Sequence, residues 1–310
     1  MRHDLVVLFE HPEWQKPLFA ALERRGVRYA AYDLKRAAFD PDRVPEAPLY
    51  FNQASPSAYV RGNTRAVPLV MALMRSLEVK GARVLNGSRA FALEVSKSAQ
   101  AALMRSLDIR HPRTLAFNDV DRALEQWDQW PALLKPEQGG SGARMYLLNS
   151  GDELARLLRE RPDLWLPDNL LLLQEYFQVD PARGIVRMEF LGGELLYAMR
   201  VVSHGAFNLC PSEACNPEGG VGGECAVEAK PAKPVEFSPY RDVPAEAVAA
   251  GKKLMAAGGL DVGGIEYLEA GDGGYVFYDI NANSNLRAPI AQAFGFDPFE
   301  RVVDFLVARC

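Results

Sequence analysis

The chain has little with which to cross-link itself. Only four of its 310 residues are cysteines, namely Cys210, Cys215, Cys225 and Cys310. That is too few to staple a chain of this length, so a disulfide scaffold is excluded. The first three follow a C-x4-C-x9-C spacing beside His204, with no CxxC pair, so loop cysteines without a metal are the expectation. Long apolar runs are also missing. Leu5–Phe9 and Leu170–Leu173 are short against the roughly 20 residues of a membrane-spanning helix. Met1–Glu10 reads as a strand rather than a signal peptide, so a cytoplasmic chain without a membrane partner is expected. No basic excess exists either. The formal net charge is −5, which leaves no electrostatic footprint for nucleic acid. Lysine is scarce, with nine lysines against 26 arginines in the 35 basic residues. A lysine that closes an apolar run therefore stands out.

What is present is ordinary globular composition, 48% hydrophobic and 24% charged. The length suits one large domain or two to three modest ones. Asp4–Phe9, Val27–Leu34, Leu49–Asn52 and Arg83–Asn86 read as strands. Lys16–Arg25 and Arg65–Val79 read as helices between them. This alternation predicts a parallel sheet covered on both faces. Ser96–Leu107 is then a predicted helix, and Thr114–Phe117 a strand. Asp119–Trp127 follows as a helix. Ala132–Lys135, the glycine loop Pro136–Ala143, the strand Arg144–Leu148 and the helix Asp152–Glu160 form an α+β unit. From Leu170–Phe177 the strands lengthen. Ile185–Leu191 and Glu194–Val202 flank Gly192-Gly193, a hairpin signal. His204–Pro239 lacks periodicity and is expected to be a loop that orders when substrate closes the site. Ala245–Ala257 is a predicted helix, Asp261–Glu269 and Gly274–Asn281 strands, and Pro298–Val307 a closing helix.

Four stretches could carry chemistry. In LLKPEQGGSGARMYLL, Lys135 ends an apolar strand before a glycine loop. Glycines let backbone N–H groups approach an anion, and the lysine adds a point charge for phosphate. The plain alternative is a hairpin with a chance lysine. It is not a P-loop, because the lysine precedes the glycines. In YVFYDINANSN, Asp279 and Asn281 lie two residues apart on one strand face. With Glu266 of GGIEYL they offer hard oxygen ligands for Mg²⁺. The alternative there is a polar turn after a strand. In QEYF, Glu175 and the backbone could read a purine edge, or Glu175 is an edge-strand glutamate. Arg187 and Arg200, on the strands flanking Gly192-Gly193, would clamp phosphate charge if both face one site. Otherwise they are surface ion pairs.

Taken in order, these stretches resemble the ATP-grasp superfamily, and within it the RimK-type and glutathione-synthetase-like carboxylate–amine ligases. The resemblance runs from about residue 84 to 300. VLNGSRAFALEVSKSAQAALMRSLDIRHPRTL looks like the helix with the first ATP lysine, here Lys97. LLKPEQGGSG looks like the second lysine, Lys135, with its phosphate-covering loop. LLLQEYF looks like the adenine hinge, and GIEYL and DINAN like the magnesium-binding strands. The sequence departs from the pattern at three places. Asp279 stands where the metal glutamate is usual. Ile185 replaces an Asp, leaving the ribose contact to Asp180. Ala206-Phe207 precede Asn208 where an arginine is usual.

The resemblance implies an α/β and α+β ATP-grasp fold with an N-terminal Rossmann-like domain. Its parts would be residues 1–93, a central 94–176 and a C-terminal 177–310. It implies an ATP-dependent ligase forming an amide through an acyl phosphate. Lys97, Lys135, Gly139, Gly140, Ser141, Gly142, Gln174, Glu175, Tyr176 and Asp180 would hold the nucleotide. Glu266, Asp279 and Asn281 would hold Mg²⁺, with Mn²⁺ as a substitute. Arg187, Arg200 and Asn208 would stabilise the reacting groups. The partners would be small-molecule or peptide carboxylates and amines, and a homo-oligomer is compatible with the sequence. Two alternatives stand beside this: a non-catalytic ATP-binding regulatory protein, and a ligase acting on a ribosomal precursor peptide.

Overall fold

Apolar strands alternating with helices at the start of the chain build a parallel sheet. The elements are β1 (Leu5–Phe9), α1 (Pro12–Arg24), β2 (Tyr29–Asp33), β3 (Leu49–Asn52), α2 (Ala66–Val79) and β4 (Arg83–Leu85). The strand order is β2-β1-β3-β4. β1 is buried on both faces, as its unbroken apolar run requires. Leu5, Val7 and Phe9 join one core, while Val6 and Leu8 join the core under α2. α1 starts at Pro12, ahead of the predicted Lys16, because proline suits the first turn of a helix. The structure, a computed structural model, describes residues 3–140, 142–203, 235–284 and 286–310.

Two helices, α3 (Ser88–Val95) and α4 (Lys97–Ser106), follow where one was predicted. The chain breaks at Ser96, whose backbone is extended at φ −121° and ψ 102°. Its hydroxyl caps α4 by accepting from the Ala99 N–H at 3.1 Å.

The second sheet comprises β5 (Thr114–Phe117), β6 (Ala132–Pro136), β7 (Tyr146–Leu148) and β8 (Leu171–Glu175). It is antiparallel in the order β5-β8-β6-β7, so β8 belongs here and not with the long strands that follow it. α5 (Val120–Gln126) and α6 (Gly151–Glu160) cover one face through Phe117, Ala123, Leu134, Leu154 and Leu173. The opposite face, carrying Lys135 and Gln174, is left for the cleft described below.

The third sheet is antiparallel, with β9 (Ile185–Leu191), β10 (Glu194–Val202), β11 (Glu236–Pro239), β12 (Val262–Glu269) and β13 (Tyr275–Asn281). Its order is β11-β10-β9-β12-β13. The β9–β10 turn is Gly192-Gly193, with φ of 61° and 84°, values that glycine adopts without strain. α7 (Ala245–Gly258) covers one face through Val186, Met188, Phe190, Ile265 and Tyr267. α8 (Ala288–Gln292) and α9 (Pro298–Val307) close the chain, and α9 packs back on α1.

β11 corrects the expectation of a loop through residue 239. Residues 204–234 lie outside the described residues, as do the expectations for Cys210, Cys215, Cys225 and Asn208. Buried Asn86 ties the first sheet to the third. Its Nδ2 donates to the Val262 carbonyl at 2.7 Å, and its Oδ1 accepts from the Asp261 N–H at 2.8 Å.

Candidate active site

The free faces of the second and third sheets look into one cleft of about 470 Å³, closed on a third side by Trp14, Ser55 and Ser57 of the N-terminal part. The third sheet supplies a row of side chains. Met199 pairs with Arg187, Arg187 with Glu266, and Glu266 with Asp279, across four adjacent strands. Directly paired residues point to the same face. The next row pairs Glu189 with Gly264 and Gly264 with Asn281. Gly264 matters here for space, because a Cβ there would sit 2.5 Å from Arg187 Nη2.

A bulge opposite the Glu266–Tyr267 step makes Tyr278 an extra residue on β13. Tyr278 and Asp279 consequently both reach the cleft. Tyr278 OH donates to Glu266 Oε2 at 2.8 Å. Arg187 Nη1 donates to Glu266 Oε1 at 2.8 Å, and Arg187 Nε to Glu189 Oε1 at 2.6 Å. Burial opposes the Arg187 charge, but the Glu189 and Glu266 carboxylates outweigh it and raise its pKa. Burial, and then the Asp279 carboxylate, push Glu266 up. Burial pushes Asp279 the same way, but Lys97 overcomes it and holds the carboxyl below its ordinary value.

Lys97 and Lys135 face these acids. Lys97 is the first residue of α4, placed by the Ser96 cap, and its Nζ pairs with Asp279 Oδ1. Glu137, at the root of the glycine loop, accepts from Ser98 N–H at 3.0 Å and from Ser98 Oγ at 2.6 Å. This carboxylate fastens the loop to the α4 N-terminus, where the helix dipole favours negative charge. Lys135 Nζ donates to Gln174 Oε1 at 2.7 Å, while Gln174 Nε2 donates to Thr114 Oγ1 at 3.0 Å. Burial, and then the Lys97 charge, bring the Lys135 pKa down to about 8. Gly139 lies beside Lys97, and Gly140 packs where a Cβ would come 2.6 Å from Ser57 Cβ. Gly142 also lines the cleft, whereas Ser141 lies outside the described residues.

The donor set suits a hard divalent cation: the buried Glu266 and half-buried Asp279 carboxylates on paired residues, with the Asn281 carboxamide one row away. Among the described residues no three His, Cys, Asp or Glu side chains converge on a metal position, so the amide is needed as the third donor. Lys97 and Arg187 neutralise the carboxylates in the structure as it stands.

Two predicted site residues do not face the cleft. Arg200 pairs with Val186, on the α7 face, where it donates to Glu269 Oε1 at 2.7 Å and lies 4.3 Å from the Tyr240 ring. The cause is a bulge at Leu196. A regular two-residue hairpin would pair Arg187 with Ala198 and put Arg200 on the same face. The register shift pairs Arg187 with Met199 and flips it. Asp180 turns back on its own loop, accepting from the Ala182 N–H at 2.9 Å, and is not among the residues lining the cleft. Glu175 and Tyr176 do line it, though Glu175 Oε2 is engaged by the Arg113 N–H at 3.1 Å.

Sequence reasoning missed Glu94, Asn283 and Arg287, which all line the cleft. The Arg287 guanidinium lies 3.4 Å from the centroid of the Phe237 ring. Arg287, next to the DINAN run, and Glu94, inside AFALEV, had a signal in their charge.

No family model matches the chain, and no curated protein matches it in sequence. Solved structures do match. The ATP-grasp ligase PsnB, complexed with a minimal precursor, Mg and ADP, is 18% identical with a TM-score of 0.65, over 99% of this chain and 97% of that one. A RimK domain ATP-grasp protein from Sphaerobacter thermophilus DSM 20745 is 18% identical with a TM-score of 0.68, over 98% and 99%. The D-cycloserine synthetase DcsG is 14% identical with a TM-score of 0.72, over 98% and 99%. The likeness spans essentially the full length of each pair, and the chain therefore has the ATP-grasp fold.

Proposed function

We propose that this protein is an ATP-dependent carboxylate–amine ligase working through an acyl phosphate. The observation that carries the reading is the row Arg187, Glu266 and Asp279 set against Lys97 and Lys135 in one cleft. It combines acids for a metal with cations for phosphates. Lys97 and Lys135 hold the phosphates of ATP, and the loop from Gly139 to Gly142, Ser141 included, covers them. The adenine lies along Gln174, Glu175 and Tyr176. Glu266, Asp279 and Asn281 would hold Mg²⁺, or Mn²⁺ in its place, which would neutralise charge on the transferring phosphoryl group.

A substrate carboxylate oxygen attacks the γ-phosphorus and ADP leaves, giving an acyl phosphate. An amine, as its free base, then attacks the acyl carbon, and phosphate leaves carrying the proton that the nitrogen loses, giving an amide. Arg187 and Arg287 are the cleft-facing guanidiniums that stabilise charge on the acyl phosphate and the tetrahedral intermediate. Asn208 is proposed beside the γ-phosphate. Arg200 faces away from the cleft and takes no part. The chain contributes positioning and electrostatics rather than a covalent nucleophile.

A peptide substrate is a second version of the same reading, favoured by the full-length likeness to PsnB, which was solved with its precursor. The test is phosphate release from ATP and Mg²⁺ with pools of amino acids and peptides. Release that needs both a carboxylate and an amine is expected. Tight nucleotide binding with no release in any pool would favour the non-catalytic regulatory protein.

A further inference from the structure

Two buried acceptor atoms on residues that line the cleft have no hydrogen-bond donor among the described residues. Glu94, in the last turn of α3, is 2% exposed, and Asn283, two residues beyond β13, is 8% exposed. Both line the cleft. Glu94 Oε1 accepts from the Asn283 backbone N–H at 3.3 Å. Glu94 Oε2 and Asn283 Oδ1 make no hydrogen bond among the described residues. The Asn283 amide orientation is fixed, because its Nδ2 donates to the Gln53 carbonyl at 2.6 Å. Only that orientation sets a donor on an acceptor, so Oδ1 is the atom left over.

An unpaired buried acceptor is destabilising, because burial removes the water that would otherwise donate to it. The nearby cationic donors are already engaged: Lys97 by Asp279 and Gln100, and Arg187 by Glu189 and Glu266. Burial pushes the Glu94 carboxyl up to about 8, a shift that Lys97 opposes without cancelling. Among the described residues this corner of the cleft has no uncommitted hydrogen-bond donor or cation. Phosphates and carboxylates bring neither. A primary ammonium brings three N–H donors and one charge.

We propose that Glu94 and Asn283 form the subsite that holds the ammonium of the amine acceptor. The assignment rests on the ligase reading above and extends it to a specific pair of residues. Glu94 stands three residues before Lys97, and Asn283 two residues after Asn281. The subsite thus borders the phosphate and metal positions without drawing on their ligands, where the acceptor waits as an ammonium and attacks the acyl phosphate once it has given up a proton to the Glu94 carboxylate. It selects primary amines, since acylation removes both the charge and two of the donors.

The test titrates the full chain, with Mg²⁺ and a non-hydrolysable ATP analogue bound, with amides of the protein amino acids. These offer a free ammonium and no carboxylate. Their N-acetylated forms are the comparison, and the Glu94→Gln variant is titrated in parallel. Glu94→Gln puts an N–H where the ammonium needs an acceptor. At least one free amine should bind. Acetylation, and separately Glu94→Gln, should weaken it by roughly tenfold or more, with nucleotide affinity unchanged. The acetylation comparison uses the unaltered chain, so a poorly folded variant does not block the test. The proposal is overturned if nucleotide binds and no free amine does, if acetylated forms bind equally, or if Glu94→Gln lowers Mg²⁺ affinity and leaves amine affinity alone. Failure of the nucleotide itself to bind, read in its own titration, would bring down the ligase reading first and this subsite with it.

Discussion

Arg187 and Arg200 sit on neighbouring strands yet point to opposite faces of one sheet, because Arg187 pairs with Met199 and Arg200 with Val186. Arg187 meets Glu189 and Glu266 on the cleft side, while Arg200 meets Glu269 on the other. Arg200→Met should cost about 1 kcal/mol, because its ion pair is partly screened by solvent. Nucleotide affinity should not change. Arg187→Met leaves two buried carboxylates without their cation and should cost about 3–5 kcal/mol. Urea unfolding and nucleotide titration of both variants check this. Equal losses of nucleotide affinity would contradict the face assignment.

Asp279 is the more exposed of the two acids in the row, with 21% side-chain exposure against 8% for Glu266. Asp279→Asn keeps the shape, removes one charge from the proposed metal position and takes the ion-pair partner from Lys97. A ligand at about 100 times its dissociation constant stabilises a fold by about 2.7 kcal/mol. The rise in melting temperature on adding Mg²⁺ with ADP should therefore shrink strongly in Asp279→Asn. ADP alone should still protect. An unchanged Mg²⁺ effect would rule Asp279 out as a ligand.

The residues most legible in the sequence were charges inside apolar runs. Lys135 ends Ala132–Pro136, Glu266 interrupts Val262–Glu269, and Asp279 interrupts Tyr275–Asn281. A charge is costly in such a place unless a partner or ligand uses it, so its presence is informative. The alternating elements of the first 85 residues were legible for the same reason, as periodicity reports which faces are buried. Arg200 was misread because one extra residue at Leu196 reverses the strand face, and nothing in ELLYAMRVV marks a bulge. Glu94 interrupts the apolar run AFALEV, but its meeting with Asn283 was invisible because it depends on the break at Ser96 and on how α3 packs against the end of β13. Neither leaves a local spacing pattern.

Lys135 gives the site a pH dependence. Its pKa is lowered to about 8, so it is a cation below that pH and loses its proton as pH rises through it. Phosphate binding favours the cation. ATP affinity should therefore fall between about pH 7.5 and 9, and binding in that window should take up protons, read from the buffer dependence of the calorimetric enthalpy. Lys135→Ala should bind ATP weakly at every pH while remaining folded. Lys135→Arg keeps its charge throughout and should flatten the profile. A profile of the same slope in Lys135→Arg would assign the titration to another group.

Gly140 carries the contact that seats the glycine loop on the N-terminal part. A Cβ there would lie 2.6 Å from Ser57 Cβ and 2.9 Å from Ser57 Cα. The second atom is backbone, so the neighbour cannot swing aside as a long side chain would. Gly140→Ala must lift the loop from the Pro56–Tyr59 turn, at a cost of about 1–3 kcal/mol for overpacking. Ser57→Gly removes the first clash and leaves the second, so the double variant should recover part of the lost stability but not all. The coupling between the two positions, from a double-mutant cycle in urea, should be about 0.5–2 kcal/mol and favourable. Nucleotide affinity should follow the same order, with Gly140→Ala the weakest and the double variant in between, because the proposed phosphate cover requires a seated loop. Strict additivity of the two substitutions would mean that the loop does not rest on Ser57 in solution.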